Sequence, residues 1–118
     1  MTKETNKIDF IEFPARNVLE IAKSKRFYGE VFDWSFTNWG EDYIDTNSSG
    51  LGSGFNADAE HRPASPLVVV YVANLESAVT KVVAAGGQIT RDIFSFPGGR
   101  RFHFKDPIGN ELAVWSDQ

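Results

Sequence analysis

The chain has 118 residues, a formal net charge of -4 and a sequence pI near 5.1, with 42% hydrophobic and 24% charged residues. These values are typical of a single globular domain. The acidic balance argues against binding to a phosphate backbone, which requires a basic surface. Because the sequence contains no cysteine, disulfides, thiolate nucleophiles and cysteine-ligated metals are excluded.

The first ten residues, MTKETNKIDF, are polar and contain no apolar run of signal-peptide length. No stretch of the sequence is long and apolar enough to predict a membrane-spanning helix. We therefore expect a cytoplasmic protein that contacts neither membrane nor nucleic acid. Residues 1–6 predict a frayed tail.

The first half of the chain predicts a strand, a helix and three further strands. Residues 8–13 alternate between two faces as a strand does, and Pro14 ends the run. Asn17, with Glu20 three residues later, resembles a capping box, and apolar residues at helical spacing continue to Phe32. Aromatic or glycine-containing runs separated by turn residues predict short strands at 34–39, 43–46 and 51–55.

After a proline-containing connector at about 56–66, the second half repeats this plan. Residues 67–72 are nearly all β-branched, which is typical of a buried strand. Asn74 predicts the start of a helix, and Gly86-Gly87 predicts its end. Three more strands are predicted at 88–94, 101–104 and 111–115. The two predicted helix starts lie about half a chain length apart, which indicates two structurally similar βαβββ halves.

Three segments carry a resemblance to a known family: residues 13–36, 71–89 and 96–115. The last of them includes a D-P-x-G-N turn, residues 106–110, between two strands. Together they resemble the vicinal-oxygen-chelate superfamily, which includes glyoxalase I, extradiol dioxygenases and bleomycin-binding proteins. The resemblance implies an α+β fold whose two βαβββ modules form a U-shaped mixed sheet around a cleft. It also implies a single domain over residues 1–118, with modules at about 7–57 and 67–117, and a homodimer.

Enzymes of this superfamily hold a divalent metal with His, Glu or Gln, one ligand from each of four strands. The resemblance places three of these positions at Phe10, Leu67 and Ala113, whose side chains have no lone pair, and the fourth near Asn56. Catalytic metal sites use about three protein ligands, so we expect no metal and no cofactor. Asp33 replaces a family glycine after the first helix, and aspartate tolerates the left-handed backbone that a glycine there implies.

Strand alternation divides the side chains between a helix side and the implied cleft. Ile11 and Phe13 are assigned to the helix side of the first strand, and Leu112 and Val114 to the core side of the last. The predicted ligand-binding residues are Phe10, Glu12, Trp39, Tyr43, Leu67, Val69, Tyr71, Arg101, His103, Glu111, Ala113 and Trp115. An aromatic and apolar pocket with a few polar groups is typical of a small-molecule site.

Glu12 is the candidate catalytic residue. Beside Phe10 its carboxylate would be partly desolvated, so it could act as a general base or bind a ligand amine. The alternative is a glutamate at the rim of the cleft, in a salt bridge with Arg100 or Arg101. These two arginines either capture an anion at the mouth of the cleft or form structural ion pairs with acidic groups.

Several other candidates also have structural interpretations. The acidic partners of the arginine pair are predicted to be Asp106 or Glu111. Tyr71 and Trp115 either stack on a flat ligand or pack in the core or in a dimer interface. His61 in the connector, like the histidine on the predicted strand at 101–104, is interpreted as structural.

Three functions stay open. The first, and the one the sequence favours, is binding or sequestering a small molecule without metal. The second is a lyase-like or isomerase-like enzyme that uses Glu12 as base with Tyr71 or His103 assisting, or a dioxygenase-like enzyme with an unrecognised divalent metal. The third is a protein-interaction module whose cleft is filled by its own side chains.

Overall fold

The computed structural model describes residues 3–118, which contain two helices and eight strands. In chain order the elements are β1 (Lys7–Pro14), α1 (Val18–Phe32), β2 (Thr37–Asn38), β3 (Tyr43–Thr46), β4 (Gly52–Asn56), β5 (Leu67–Tyr71), α2 (Leu75–Ala84), β6 (Gln88–Phe96), β7 (Gly99–Lys105) and β8 (Glu111–Ser116). This order is βαβββ twice, so the predicted α+β fold is confirmed. The chain forms two compact units, which we call the first module (residues 10–67) and the second module (residues 3–9 and 68–118).

The sheet of the first module has the strand order β2-β3-β4-β1. β1 and β4 are parallel, whereas the β3–β4 and β2–β3 pairs are antiparallel. Ile21 of α1 packs with Ala15, Ile44 and Phe55 in a buried core, and Phe13 stacks on Phe55 with ring centroids 5.0 Å apart. The strand residues Phe13, Ile44 and Phe55 are paired and point to the same side, so α1 covers a single face of this sheet.

The sheet of the second module has the order β5-β8-β7-β6. β5 and β8 are parallel, and the β7–β8 and β6–β7 pairs are antiparallel. Leu75 at the start of α2 packs with Val72, Phe102 and Val114 in the buried core of this module. Phe102 is fully buried at 0% exposure. As in the first module, one helix covers one face of a four-stranded sheet.

The predicted asparagines cap both helices. The side chain of Asn17 accepts a hydrogen bond from the Glu20 N–H at 3.0 Å, and that of Asn74 accepts one from the Ser77 N–H at 2.9 Å. Glu20 does not complete a capping box with Asn17. Its carboxylate accepts a hydrogen bond from the backbone N–H of Arg16 at 2.8 Å, one residue earlier than the motif places it.

Asp33 ends α1 in the left-handed conformation, with φ 59° and ψ 27°. Its backbone N–H donates to the carbonyl oxygen of Gly29 at 3.1 Å, which closes the last turn of the helix. The expectation that aspartate would tolerate this turn is therefore confirmed. The predicted end of α2 is also confirmed, because Gly86 follows the helix with a φ of 97°.

Some boundaries differ from the sequence prediction. β2 is limited to Thr37–Asn38 rather than 34–39, because Phe36 turns into the core and the Ser35 N–H bonds to the hydroxyl of Ser48 at 3.3 Å. The predicted frayed tail is wrong at Asn6. The Asn6 N–H donates to the carbonyl oxygen of Tyr71 at 2.8 Å, which ties this segment to the end of β5. Residues 1–2 of that predicted tail lie outside the described residues.

Helices long and apolar enough to cross a bilayer do not occur within residues 3–118.

Candidate functional site

The first module presents a sheet face without a helix, which we call its helix-free face. Glu12 of β1 pairs with Gly54 of β4, and Tyr43 of β3 pairs with Asn56. Paired residues on neighbouring strands point to the same side, and these four occupy the phase opposite to the core residue Phe55. The structure therefore brings the predicted site residues Glu12 and Tyr43 onto one surface.

Glu12 is only 1% exposed, although it is a carboxylate on a sheet face that lacks a helix. The side-chain amide of Asn56 donates to its Oε2 at 3.5 Å. Asn56 is held in turn through its Oδ1, which accepts the backbone N–H of Asp58 at 2.8 Å. Ordered burial of this kind presents a carboxylate as a fixed hydrogen-bond acceptor.

Gly54 allows two aromatic rings to approach the backbone beside Glu12. A Cβ atom at this position would lie 2.5 Å from the Tyr43 hydroxyl oxygen and 2.8 Å from Cζ of Phe10. Only glycine leaves room for both ring ends. The predicted residues Phe10 and Tyr43 thus meet over Gly54 and form an aromatic wall next to the carboxylate.

The second module has a helix-free face of its own. Arg101 and His103 lie on either side of the core residue Phe102 along β7, and they pair with Trp115 and Ala113 on β8. The neighbouring pairs of β5 complete the surface. Predicted site residues on this face are Val69, Tyr71, Arg101, His103, Ala113 and Trp115, all of them buried or half-buried. Two other predicted residues lie at the ends of the strands: Leu67, buried at the start of β5, and Glu111, exposed at the start of β8.

Tyr71 and Trp115 pack edge to face, with ring centroids 5.2 Å apart. The Tyr71 hydroxyl donates to Asp117 at 2.7 Å, and the Trp115 indole N–H donates to Asp9 at 3.0 Å. The bond to Asp117 raises the pKa of the Tyr71 phenol. The ammonium of Lys3 lies 5.3 Å from the Trp115 ring centroid. Both polar ring ends are therefore engaged within the module, which favours a packing role over proton transfer by Tyr71.

His103 is 6% exposed, and its Nε2 has no hydrogen-bond partner within residues 3–118. Burial, together with the nearby charges of Arg101 and Arg91, lowers the pKa of this imidazole to about 4. The guanidinium carbons of Arg91 and Arg101 lie 4.4 Å and 5.2 Å from the ring of Phe94. That ring lies 5.8 Å from the imidazole. His103 is thus a neutral, buried hydrogen-bonding group beside two cations.

The predicted partners of Arg100 are wrong. Its guanidinium binds Glu76 of α2 at two points, with Nη1–Oε2 at 2.5 Å and Nη2–Oε1 at 3.2 Å. This contact lowers the pKa of the Glu76 carboxyl. Asp106 instead accepts hydrogen bonds from backbone N–H groups of its own turn, and Glu111 accepts one from the Thr90 hydroxyl at 2.7 Å. A pairing between β7 and the first turn of α2 leaves no local sequence signal.

Two further candidates lie away from the strand faces. Trp39 follows the end of β2 and is 61% exposed. Its backbone N–H donates to the carbonyl oxygen of Tyr43 at 2.9 Å. His61 lies in the connector, where its Nδ1 is 2.7 Å from Oδ2 of Asp58. That contact supports the structural interpretation of His61.

Three of the four residues at the implied metal positions do not fit a divalent ion. Phe10, Leu67 and Ala113 offer only carbon atoms, and Leu67 and Ala113 are buried at 3% and 0% exposure. Within residues 3–118 no three side chains of His, Asp or Glu are grouped in a way that could hold a metal. The chemistry available on these faces is therefore that of a carboxylate, an imidazole, guanidinium groups and aromatic rings.

Sequence reasoning missed the contribution of β6. Phe96 lies 6.2 Å from the Trp115 ring, and Arg91 and Phe94 surround His103. β6 pairs with β7 through two register shifts, which break the alternation that assigns side chains to faces. The sequence shows that this segment contains Arg91, Phe94 and Phe96. It does not show which face of the sheet they occupy, because bulges cannot be located from the alternation of residues.

The Glyoxalase/Bleomycin resistance protein/Dioxygenase superfamily model matches residues 7–114. No curated protein matches the sequence. A structure of an NAD-dependent benzaldehyde dehydrogenase from Legionella pneumophila is similar, with a TM-score of 0.73, 16% identity, and coverage of 91% of this chain and 96% of that one. The structure of the Mn(II)-bound glyoxalase from Novosphingobium aromaticivorans has a TM-score of 0.66 and 16% identity. The match covers 96% of this chain and 39% of that one, so this chain spans well under half of that protein. The structure of methylmalonyl-CoA epimerase from Mycobacterium tuberculosis has a TM-score of 0.66 and 8% identity, and the match covers 98% of this chain and 92% of that one. At these identities the likeness shows the fold alone.

Replacing Gly54 with alanine should distort the aromatic wall of the first module. The new Cβ would overlap the ends of Tyr43 and Phe10, so we expect Gly54→Ala to lower the free energy of unfolding by about 1–3 kcal/mol in urea denaturation. Adding Tyr43→Phe should restore part of the loss. Gly29→Ala is the matched control, since its Cβ meets only an ordinary contact at 3.5 Å, and it should not destabilise the helix. Equal effects of the two alanine variants would contradict the proposed crowding.

His103 should make the protein less stable as the pH falls. Its pKa is about 4 in the folded protein against an ordinary 6.5, so the unfolded chain binds the proton more readily. The contribution to stability is complete above pH 6.5 and is lost as the pH falls through 6.5 towards 4, by about 2 kcal/mol between pH 7 and pH 5. In urea unfolding at these two pH values, His103→Gln should lose about 2 kcal/mol less than the wild type. The same loss in the wild type and in His103→Gln would refute the role of His103.

Proposed function

We propose that this chain, which belongs to the Glyoxalase/Bleomycin resistance protein/Dioxygenase superfamily, binds a small organic molecule at a helix-free face without a divalent metal. The observation that carries the proposal is the burial of ionisable side chains on the helix-free faces. Glu12 is 1% exposed, His103 6% and Arg101 8%. Burying such groups costs free energy, so their concentration outside the helix-packed cores is more typical of a binding site than of a structural core.

The aromatic side chains support the same proposal. Phe10 and Tyr43 form a wall beside Glu12 in the first module, and Phe94 and Phe96 adjoin the polar groups of the second. Apolar area with a few fixed polar groups is the usual composition of small-molecule sites. Binding without metal is supported by the carbon-only side chains at three of the four positions that the resemblance implies for metal ligands.

An enzymatic function is the second candidate, because one observation favours it. Glu12 is a fully buried carboxylate within hydrogen-bond reach of a fixed amide, as a positioned general base requires. Proton transfer assisted by His103 remains part of this candidate. Tyr71 does not support it, since its hydroxyl donates to Asp117 and its pKa is raised.

A homodimer is also part of the proposal, as is a cytoplasmic location. Phe27, Tyr28, Phe32 and Trp34 form a connected aromatic cluster at the end of α1, and Phe27 and Phe32 are each 57% exposed. Exposed apolar patches of this kind mark interaction surfaces. Sedimentation equilibrium should give twice the chain mass of 13.2 kDa, and Phe27→Asp should shift it towards the monomer. A wild-type monomer at high concentration would refute the dimer.

Ligand screening tests the binding function directly. Thermal shift with a library of small aromatic compounds should find molecules that raise the Tm of untagged protein, and calorimetry should confirm equimolar binding. Phe94→Ala should weaken the affinity by about fivefold or more, because it removes aromatic contact area. Leu19→Ala, which changes an exposed apolar side chain on α1 outside the aromatic cluster, is the control and should have no effect. A chelator should change neither the Tm nor the affinity.

Stoichiometric bound metal with chelator sensitivity would contradict binding without metal, and the absence of any stabilising compound would contradict the binding function. Turnover of a bound compound would favour the enzymatic candidate. In that case Glu12→Gln should abolish turnover while changing the Kd by only about threefold or less, since the amide keeps the size of the carboxylate.

A further inference from the structure

We infer that Arg91 and His103 bind an oxyanion, a carboxylate or phosphate group carried by the ligand. The inference rests on the proposed function, since it names the charge of the molecule bound at the helix-free face of the second module. Two groups that lack a polar partner, one charged and one neutral, lie side by side there and require the same kind of partner.

Arg91 and His103 are opposite each other on adjacent antiparallel strands, β6 and β7. Side chains in such pairs leave the backbone about 5 Å apart, so both can reach one ligand group. The ring of Phe94 lies against both residues, 4.4 Å from the Arg91 guanidinium carbon and 5.8 Å from the imidazole. On the other side of His103 the paired residue is Ala113, whose methyl group takes little space.

Both polar groups lack a polar partner within the chain as described. The Nε2 atom of His103 is buried with no hydrogen bond in residues 3–118, and the residue is more than nine-tenths buried. Arg91 forms no salt bridge within the same range, and its contact is with the Phe94 ring. Buried polar groups are almost always hydrogen-bonded, so an orphaned Nε2 beside a free cation indicates a missing anionic partner.

The charges around the pair favour an anion. Arg101 on β7 adds a second cation beside the imidazole, and Ala113 on β8 carries no charge. Asp92, next to Arg91 in sequence, lines a groove with Val79 of α2 and so lies on the helix side of the sheet. A neutral His103 can place its proton on Nε2 and donate it, while Arg91 supplies the positive charge.

Nuclear magnetic resonance tests this site well, because His103 and His61 are the chain's two histidines. The probes are benzoate, phenyl phosphate and the uncharged benzamide, which share one ring. At least one anion should shift the His103 imidazole signals and leave those of His61 unchanged. That anion should bind about tenfold or more tightly than benzamide, the usual gain from a charge-assisted hydrogen bond. Benzoate against phenyl phosphate distinguishes a carboxylate site from a phosphate site, and inorganic phosphate alone shows whether the ring is needed.

Variants separate a local contact from the overall charge. Arg91→Gln should weaken binding of the anion about tenfold and leave benzamide unchanged, and Arg91→Lys should retain part of the affinity. Arg26→Gln removes the same charge from a side chain that is 82% exposed, and should change the affinity by less than about twofold. His103→Gln, whose amide can donate in place of Nε2, should bind the anion more tightly than His103→Leu.

Equal affinity for benzoate, phenyl phosphate and benzamide would overturn the oxyanion site and leave the proposed binding function intact. Failure of all three probes to shift His103 would also overturn the oxyanion site, and the compound screen would then decide the binding function independently. An equal loss of affinity in Arg91→Gln and Arg26→Gln would mean that Arg91 makes no direct contact, which likewise refutes the site.

Discussion

Each module packs a single helix against one face of a four-stranded sheet, and the positions of the candidate residues on the strand faces depend on this one-sided packing. Burial of Phe102 against α2 requires that its neighbours along β7, Arg101 and His103, point to the other side. In the first module, Phe13 and Phe55 pack towards α1, which places Glu12 and Gly54 on the opposite face. The helix-free face of each module, which carries most of the candidate site residues, is therefore a geometric consequence of its core.

Burial without a helix partner is the feature that distinguishes these faces from ordinary solvated sheet surfaces. An antiparallel sheet with one covered face usually has polar side chains in water on the other. Here Glu12, Asn56 and His103 are almost completely buried on that side. Tyr71 and Trp115 have their polar atoms satisfied by carboxylates of the same module, whereas His103 does not. The contrast identifies His103 as the group whose environment is incomplete.

Sequence patterns predicted the fold well, because local physics determines most of it. Asn17 and Asn74 cap helices as their side-chain chemistry predicts, and strand alternation assigned Glu12 to the face opposite the core. The predictions failed where a partner is distant in sequence or where the strand period is interrupted. Arg100 binds Glu76, 24 residues earlier, and no spacing rule indicates that pair. Along β6, bulges reset the alternation, so the ring of Phe94 beside His103 was not assigned to the site.

Membership of the superfamily determines the scaffold but leaves its chemistry open. The similar proteins include one with bound Mn(II), whereas Phe10, Leu67 and Ala113 give this chain only carbon at three of the four implied metal positions. A bound metal stabilises negative charge on a ligand oxygen. Without a metal, that stabilisation has to come from side chains. Arginine can provide charge and a neutral imidazole can provide a hydrogen bond without any metal. Under the proposed oxyanion binding, the cations of β6 and β7 beside His103 would give the second module an organic means of stabilising negative charge on the same kind of scaffold.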